Sequence, residues 1–264
     1  MKRYFTLLII GCLISVGLKA THNRAGEIIY EQLGNLTFRA IIITYTKTSS
    51  VQADRDSLQL FWGDGTFNYV LRTNGADTDG DGIPDGDPLP RDIKRNVYVG
   101  VHTFPAPSTY TLSFQDFNRI ANIINVNNAN QDPNGGGSVN IPFYVESELR
   151  VLDPEAFGFN NTPILLQPPI DDAFLNQEYI HNPNAFDPDG DSLAYELVVP
   201  RQAVGTDVPL YFFPNEVEPG ANNNFSIDPI TGDMRWSTPQ KCGIYNVAFK
   251  VTEYRRGIEI GSLI

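Results

Sequence analysis

The residues of this chain with the clearest chemical bearing are carboxylates. Asp77, Asp79, Asp81, Asp85 and Asp87 fall within eleven residues and are interleaved with Gly80, Gly82 and Gly86. Hard divalent cations such as Ca²⁺ take oxygen ligands at about 2.3–2.6 Å, and Asp at alternating positions with glycine between lets a short loop wrap one ion. An EF-hand counted from Asp77 needs a bidentate Glu at its twelfth position, where this chain has Pro88. A second, shorter run, Asp187-Pro-Asp189-Gly-Asp191, offers the same chemistry with fewer donors. The alternative for the first run is a solvated acidic loop, and for the second a plain turn between strands.

Catalytic patterns are absent from the sequence. His22, His102 and His181 are far apart, and none stands in a His-x-x-x-His or His-Glu-x-x-His arrangement. There is no Gly-x-Ser-x-Gly elbow, and Gly135-Gly136-Gly137 lacks the Lys-Ser/Thr of a phosphate loop. Cys242, beside Gly243, reads as a small core filler rather than a nucleophile. Tyr211-Phe212-Phe213 reads as core in preference to a sugar-stacking platform. Paired carboxylates for glycoside hydrolysis are a matter of geometry that spacing does not decide. The expectation is a chain that is not an enzyme.

The elements that must position these loops are strands. Leu36 to Tyr45, Thr109 to Phe114, Val139 to Val151, Leu193 to Val199, Phe225 to Ile227 and Tyr245 to Thr252 are rich in β-branched and aromatic residues. Several alternate apolar with polar positions, and turn formers separate them. The single helical candidate is a short turn over Phe117–Ile124. Asp153-Pro154 and Gly158 to Pro163 interrupt the strands and mark a boundary, giving expected domains at 21–155 and 156–264. Two soft stretches, 74–92 and 126–138, read as insertions in the first domain. Ile258–Ile264 reads as a strand in progress, which suggests a fragment of a longer chain.

Composition narrows the partners. A formal charge of −12 disfavours nucleic acid and anionic membrane surfaces, both of which reward Lys and Arg. Lys2 and Arg3 precede an apolar run from Tyr4 to Leu18, the layout of a signal peptide over residues 1–20 with cleavage after Ala20. Ile9-Ile10-Gly11-Cys12 is the competing lipobox reading. The run is too short to span a membrane as a helix. Export leaves Cys242 without a partner, so something other than a disulfide must stabilise the mature protein.

Several motifs carry resemblances. The first acidic run resembles thrombospondin type 3 calcium loops, which implies Asp77, Asp79, Asp81, the Ile83 carbonyl and Asp85 as ligands, with Asp87 as a sixth. Trp62-Gly63-Asp64-Gly65-Thr66, followed by His102-Thr-Phe104 and Ser108-Thr-Tyr110-Thr-Leu112, resembles the PKD-type immunoglobulin-like domain. Ser108 stands where that family usually has Gly. Asp187 to Leu197 and Phe225-Ser-Ile227-Asp228 to Thr231-Gly232-Asp-Met234-Arg-Trp236 resemble bacterial cadherin-like repeats. That resemblance implies Ca²⁺ at Asp187, Asp189 and Asp191. Thr21 to Ile28 and Asn140 to Glu146 resemble the N-terminal region of Bacteroidota surface proteins that end in a gliding-motility-associated, type IX secretion sorting domain. Asp56-Ser57-Leu58 and Asp191-Ser192-Leu193 resemble O-glycosylation sequons of those bacteria. The expectation is an all-β chain of two tandem Ig-like sandwiches, PKD-like then cadherin-like. It is secreted or on the cell surface, stabilised by calcium, and serves as adhesin or spacer with a glycan or protein ligand. The alternative is a polysaccharide-binding accessory region of a secreted hydrolase.

Overall fold

The computed structural model describes residues 22–127 and 137–264. The expected signal peptide, Cys12 and the centre of the Asn/Gly-rich stretch lie outside them. The first eight strands are β1 (Asn23–Gln32), β2 (Thr37–Lys47), β3 (Ser57–Phe61), β4 (Phe67–Leu71), β5 (Asp87–Leu89), β6 (Ile93–Thr103), β7 (Thr109–Asp116) and β8 (Phe143–Arg150). Then follow β9 (Ile164–Leu165), β10 (Tyr179–His181), β11 (Ala185–Phe186), β12 (Ser192–Val198) and β13 (Arg201–Ala203). The last are β14 (Thr206–Asp207), β15 (Phe225–Ile227), β16 (Met234–Trp236), β17 (Ala248–Arg255) and β18 (Ile258–Leu263). The chain is all-β, its named strands paired in antiparallel sheets.

Two sheets dominate. One has the order β1-β2-β6-β5, the other β12-β17-β18-β8-β7-β3-β4. Between the first sheet and strands β3, β4, β7 and β8 lies a core of Ile28, Tyr30, Phe38, Ile42, Leu60, Trp62, Leu112, Phe114 and Leu149. The opposite face of the first sheet is also covered. Ile29, Ile43, Tyr45 and Ile93 pack with Tyr195, Val251 and Leu263 from the second half. This double burial explains Ala40-Ile-Ile-Ile-Thr-Tyr45: alternate side chains enter different cores, so the strand has no polar face.

Trp62, Phe104, Tyr110 and Leu112 meet in the first core, and His102 packs on Trp62. Trp62 stacks on His102 with ring centroids 4.9 Å apart, and His102 Nε2 lies 2.7 Å from Asp64 Oδ2. Asp64 Oδ1 accepts from the Thr66 amide at 2.9 Å, closing the turn. Gly63 has φ +83, and a Cβ there would lie 2.6 Å from the Thr111 nitrogen, so the turn admits only glycine. His102 packs against Trp62 and edge-on to Phe104, ring centroids 4.8 Å apart in the second pair.

Strand pairing crosses the expected boundary at 153–163. At the expected boundary a single helical turn, Pro154–Phe157, is capped by Asp153. Across it β18 pairs with β8, Gly261 opposite Leu149 and Leu263 opposite Ser147. A continuous sheet and a second core therefore join residues before and after 153–163. The Phe117–Ile124 turn does not become a helix. Its backbone instead makes bridges, Arg119 to Asn23 and Ile123 to Ile244. Cys242 corrects the core-filler expectation: it is exposed. Tyr211 packs against a small third core of Ile120, Ile123, Val126, Ile141 and Val208.

Glu27 is buried at 5 % exposure on β1. Burial pushes its carboxyl up to about 7, against the opposing charge of Arg95. The folded state therefore keeps a proton that the unfolded chain, near 4.5, has already released. Stability from this group falls as pH rises from about 4.5 through about 7. Glu27→Gln is expected to flatten that slope and add roughly 2–3 kcal/mol above pH 7. Urea unfolding of both proteins at pH 5 and pH 8 checks this, and equal slopes would count against it.

Candidate metal centre

The two acidic runs fold differently. In the first, Asp77, Asp79 and Asp85 place carboxylate oxygens within 4.8 Å of one another. The loop holds itself together through its own amides. Asp77 accepts from Gly80 and Gly82, Asp79 from Asp81, and Asp81 from Ile83. Asp85 Oδ2 accepts from the Thr78 hydroxyl and from the Thr78 amide at 2.7 Å, and these bonds, the hydroxyl's first, hold its carboxyl below the ordinary range. Asp81 lies outside the carboxylate group. So does Asp87, which sits on β5 and accepts from Asn74 Nδ2 at 2.6 Å. Of the five expected carboxylates, three converge.

The loop is anchored by Arg72, a buried guanidinium 2 % exposed that no motif marks. It donates to Asp54 at 3.0 and 3.1 Å, to Asp56 at 2.9 Å and to the Pro84 carbonyl. Asp85 Oδ1 lies 3.6 Å away, so part of the loop's charge is already matched.

The second run builds a deeper site. Asp187 and Asp191 converge with Glu253, again within 4.8 Å. Asp187 follows β11, Asp191 precedes β12, and Glu253 projects from β17, the neighbour of β12. Asp187 Oδ1 accepts from the amides of Asp189 and Asp191 at 2.9 and 3.0 Å. Asp187 Oδ2 and Glu253 Oε1 are buried with no hydrogen-bond partner. Asn160 Nδ2 donates to Glu253 Oε2 at 3.0 Å and to Tyr30 Oη at 3.1 Å. Gly261 makes room here: a Cβ on it would lie 2.4 Å from Tyr30 Oη and 3.0 Å from Glu253 Oε1.

Electrostatics mark the same place. Burial pushes the Glu253 carboxyl up to about 8, and the neighbouring charges of Asp187, Asp191 and Asp189 add to it. Asp187 is raised too, again mainly by burial. Arg255 grips Asp191 with two bonds of 2.8 and 2.5 Å but reaches neither orphaned oxygen. Asp189 is not part of this group: it accepts from the Asn161 amide at 2.7 Å and lies 3.4 Å from Arg255. Two buried carboxylate oxygens without donors are costly alone and suit a hard cation. Asp187, Asp191 and Glu253 are the residues that would hold such a cation.

Glu253 was the residue missed. Its signal lay in strand alternation: Phe249, Val251 and Glu253 share one face of β17, and Val251 and Glu253 are both 0 % exposed. An acid continuing an inward apolar series marks a buried site. The histidines, by contrast, stay apart, His22 beside Asp54, His102 beside Asp64 and His181 beside Asp171. Among the described residues no helix is long and apolar enough to cross a membrane. No family model, no curated protein and no solved structure matches the chain, so the site is read from its own geometry.

Proposed function

We propose that the chain is a non-catalytic, calcium-stabilised extracellular module of a secreted or cell-surface bacterial protein, acting as adhesin or structural spacer. The observation that carries this is the pair of buried, unpartnered oxygens on Asp187 and Glu253. The cation substitutes for disulfides in a chain whose described cysteine, Cys242, is free. The facing of β1-β2-β6-β5 against β8-β7-β3-β4, with Trp62, His102 and Tyr110 clustered around it, supports a PKD-type Ig-like first half. The hairpin β15–β16, with Phe225 opposite Trp236, supports a cadherin-like second half. A shared sheet and core make these two halves a stiff unit, which suits a spacer.

Millimolar Ca²⁺ is expected to raise the melting temperature over an EDTA-treated sample. An ion at about 100 times its Kd adds about 2.7 kcal/mol. For a protein of this size that corresponds to roughly 5–10 °C. Identical melting in calcium and EDTA removes the reading. A polysaccharide-binding accessory region is the second reading, favoured by an aromatic-lined cavity between β1, β8 and the 236–249 stretch.

A further inference from the structure

That cavity has a volume of about 710 Å³ and shares no lining residue with either acidic cluster. Small-molecule sites generally span about 300–1,000 Å³. Three of its lining groups, Arg24, Glu27 and Arg119, are unusual.

Arg24 is a bulge residue. Asn23 pairs with Thr46 and Ala25 with Tyr45, leaving Arg24 as the extra residue on β1. Bulges re-aim side chains and recur beside binding sites. Arg24 Nε is buried without a partner. Arg119, 2 % exposed, is tied to the start of β1 by its bridge with Asn23. It donates to the Pro142 carbonyl at 2.8 Å, Asn246 Oδ1 at 2.7 Å and the Arg201 carbonyl at 3.3 Å. All three acceptors are neutral, so the guanidinium charge has no carboxylate partner among the described residues. Most other charges of the cavity are matched: Arg201 on Glu146, Asp172 on Arg91, Asp171 beside His181. Glu27 Oε2, in contrast, is a buried acceptor with no donor.

We propose that this cavity binds an acidic sugar, its carboxylate on Arg24 and Arg119, a ring hydroxyl on Glu27, and an apolar ring face on the aromatic wall. Guanidinium groups recognise carboxylates in a planar, charge-assisted geometry. A uronate carries that anion beside hydroxyl donors on one rigid ring, which serves the cations and the orphan acceptor together. Tyr179, Tyr245 and Phe249 supply the wall, and rings of this kind pack against apolar faces. The inference goes beyond the calcium reading and is tested without it.

The test titrates the full chain, in calcium throughout, with a galacturonic acid disaccharide, the neutral galactose disaccharide and an acidic dipeptide. Trp236 lines the cavity while Trp62 is sealed in the first core, so fluorescence reports binding, and ligand-observed NMR confirms it. The acidic sugar is expected to bind at least about ten-fold more tightly than either comparator. Arg24→Gln, at a half-buried position, is expected to lose about ten-fold for the acidic sugar with an unchanged melting temperature. Arg119→Gln is a second variant, and if it fails to fold the Arg24 result still decides. No binding, equal binding of the neutral sugar, tighter binding of the dipeptide, or unchanged affinity in Arg24→Gln each overturns the proposal. A chain that binds uronate but ignores calcium in melting refutes the cation reading alone.

Discussion

Glu253→Gln is expected to raise the melting temperature in EDTA and to lower it in millimolar calcium. The reversal follows from one atom. Glu253 Oε1 is buried without a partner, and its carboxyl is pushed up to about 8 by that burial. Without a cation, an amide of the same shape removes the cost of a desolvated acid crowded by Asp187 and Asp191. With calcium, the amide is a weaker, uncharged donor, and the gain of roughly 5–10 °C expected for the parent shrinks or vanishes. Asp187→Asn is expected to act in the same direction, since Asp187 Oδ2 is the second orphaned oxygen. Differential scanning calorimetry of the parent and both variants in both buffers measures all six values. A variant that is less stable in both by the same amount would mean that Glu253 is only a structural acid.

Arg72→Met is expected to cost about 3–5 kcal/mol, the loss typical of stranding a buried ionic partner. The Arg72 side chain is fully buried and bonded to Asp54 and Asp56, with Asp85 nearby. Asp54 would keep Lys94 at 2.7 Å and His22 at 3.5 Å, but both of its bonds from the guanidinium fork would be gone. Burial works against ionising Asp54, yet bonds from His22, Arg72 and Lys94 outweigh it and hold its carboxyl well below the usual carboxylate range. Arg72→Lys keeps the charge without the fork and is expected to fall between. Guanidinium unfolding gives the energies, and limited proteolysis within 76–86 reports release of the acidic loop. A loss under about 1 kcal/mol for Arg72→Met would show that the cluster is worth no more than a surface pair.

Much of the architecture was written in local pattern. Tyr110, Leu112 and Phe114 share a face in the sequence and do so in the first core. Gly63 and Asp64 are turn-forming residue types, and Asp64 closes the turn. Other features had no local signature. The pairing of Leu149 with Gly261 joins strands from opposite halves, and nothing in either strand names the other. Carboxylate spacing in the two acidic runs did not reveal which oxygens would be taken by nearby donors. Asp87 was claimed by Asn74 and Asp189 by Asn161, both reached only once the chain had folded. Arg72 carries no local signature, since burial of a guanidinium depends on carboxylates brought in from Asp54 and Asp85.

Strand β18 sits between β8 and β17 in the larger sheet, although β8 ends at Arg150 and β18 begins at Ile258. This position sets an order of assembly. A chain emerging from its N-terminus completes β8 long before the strand that will pair with it exists, so one edge of β8 waits with open hydrogen-bonding groups. Closing so long a loop is slow relative to local pairing, because entropy is lost before the contacts form. Once β18 inserts, its loss would bare β8 and β17 together, one strand from each side of the 153–163 stretch.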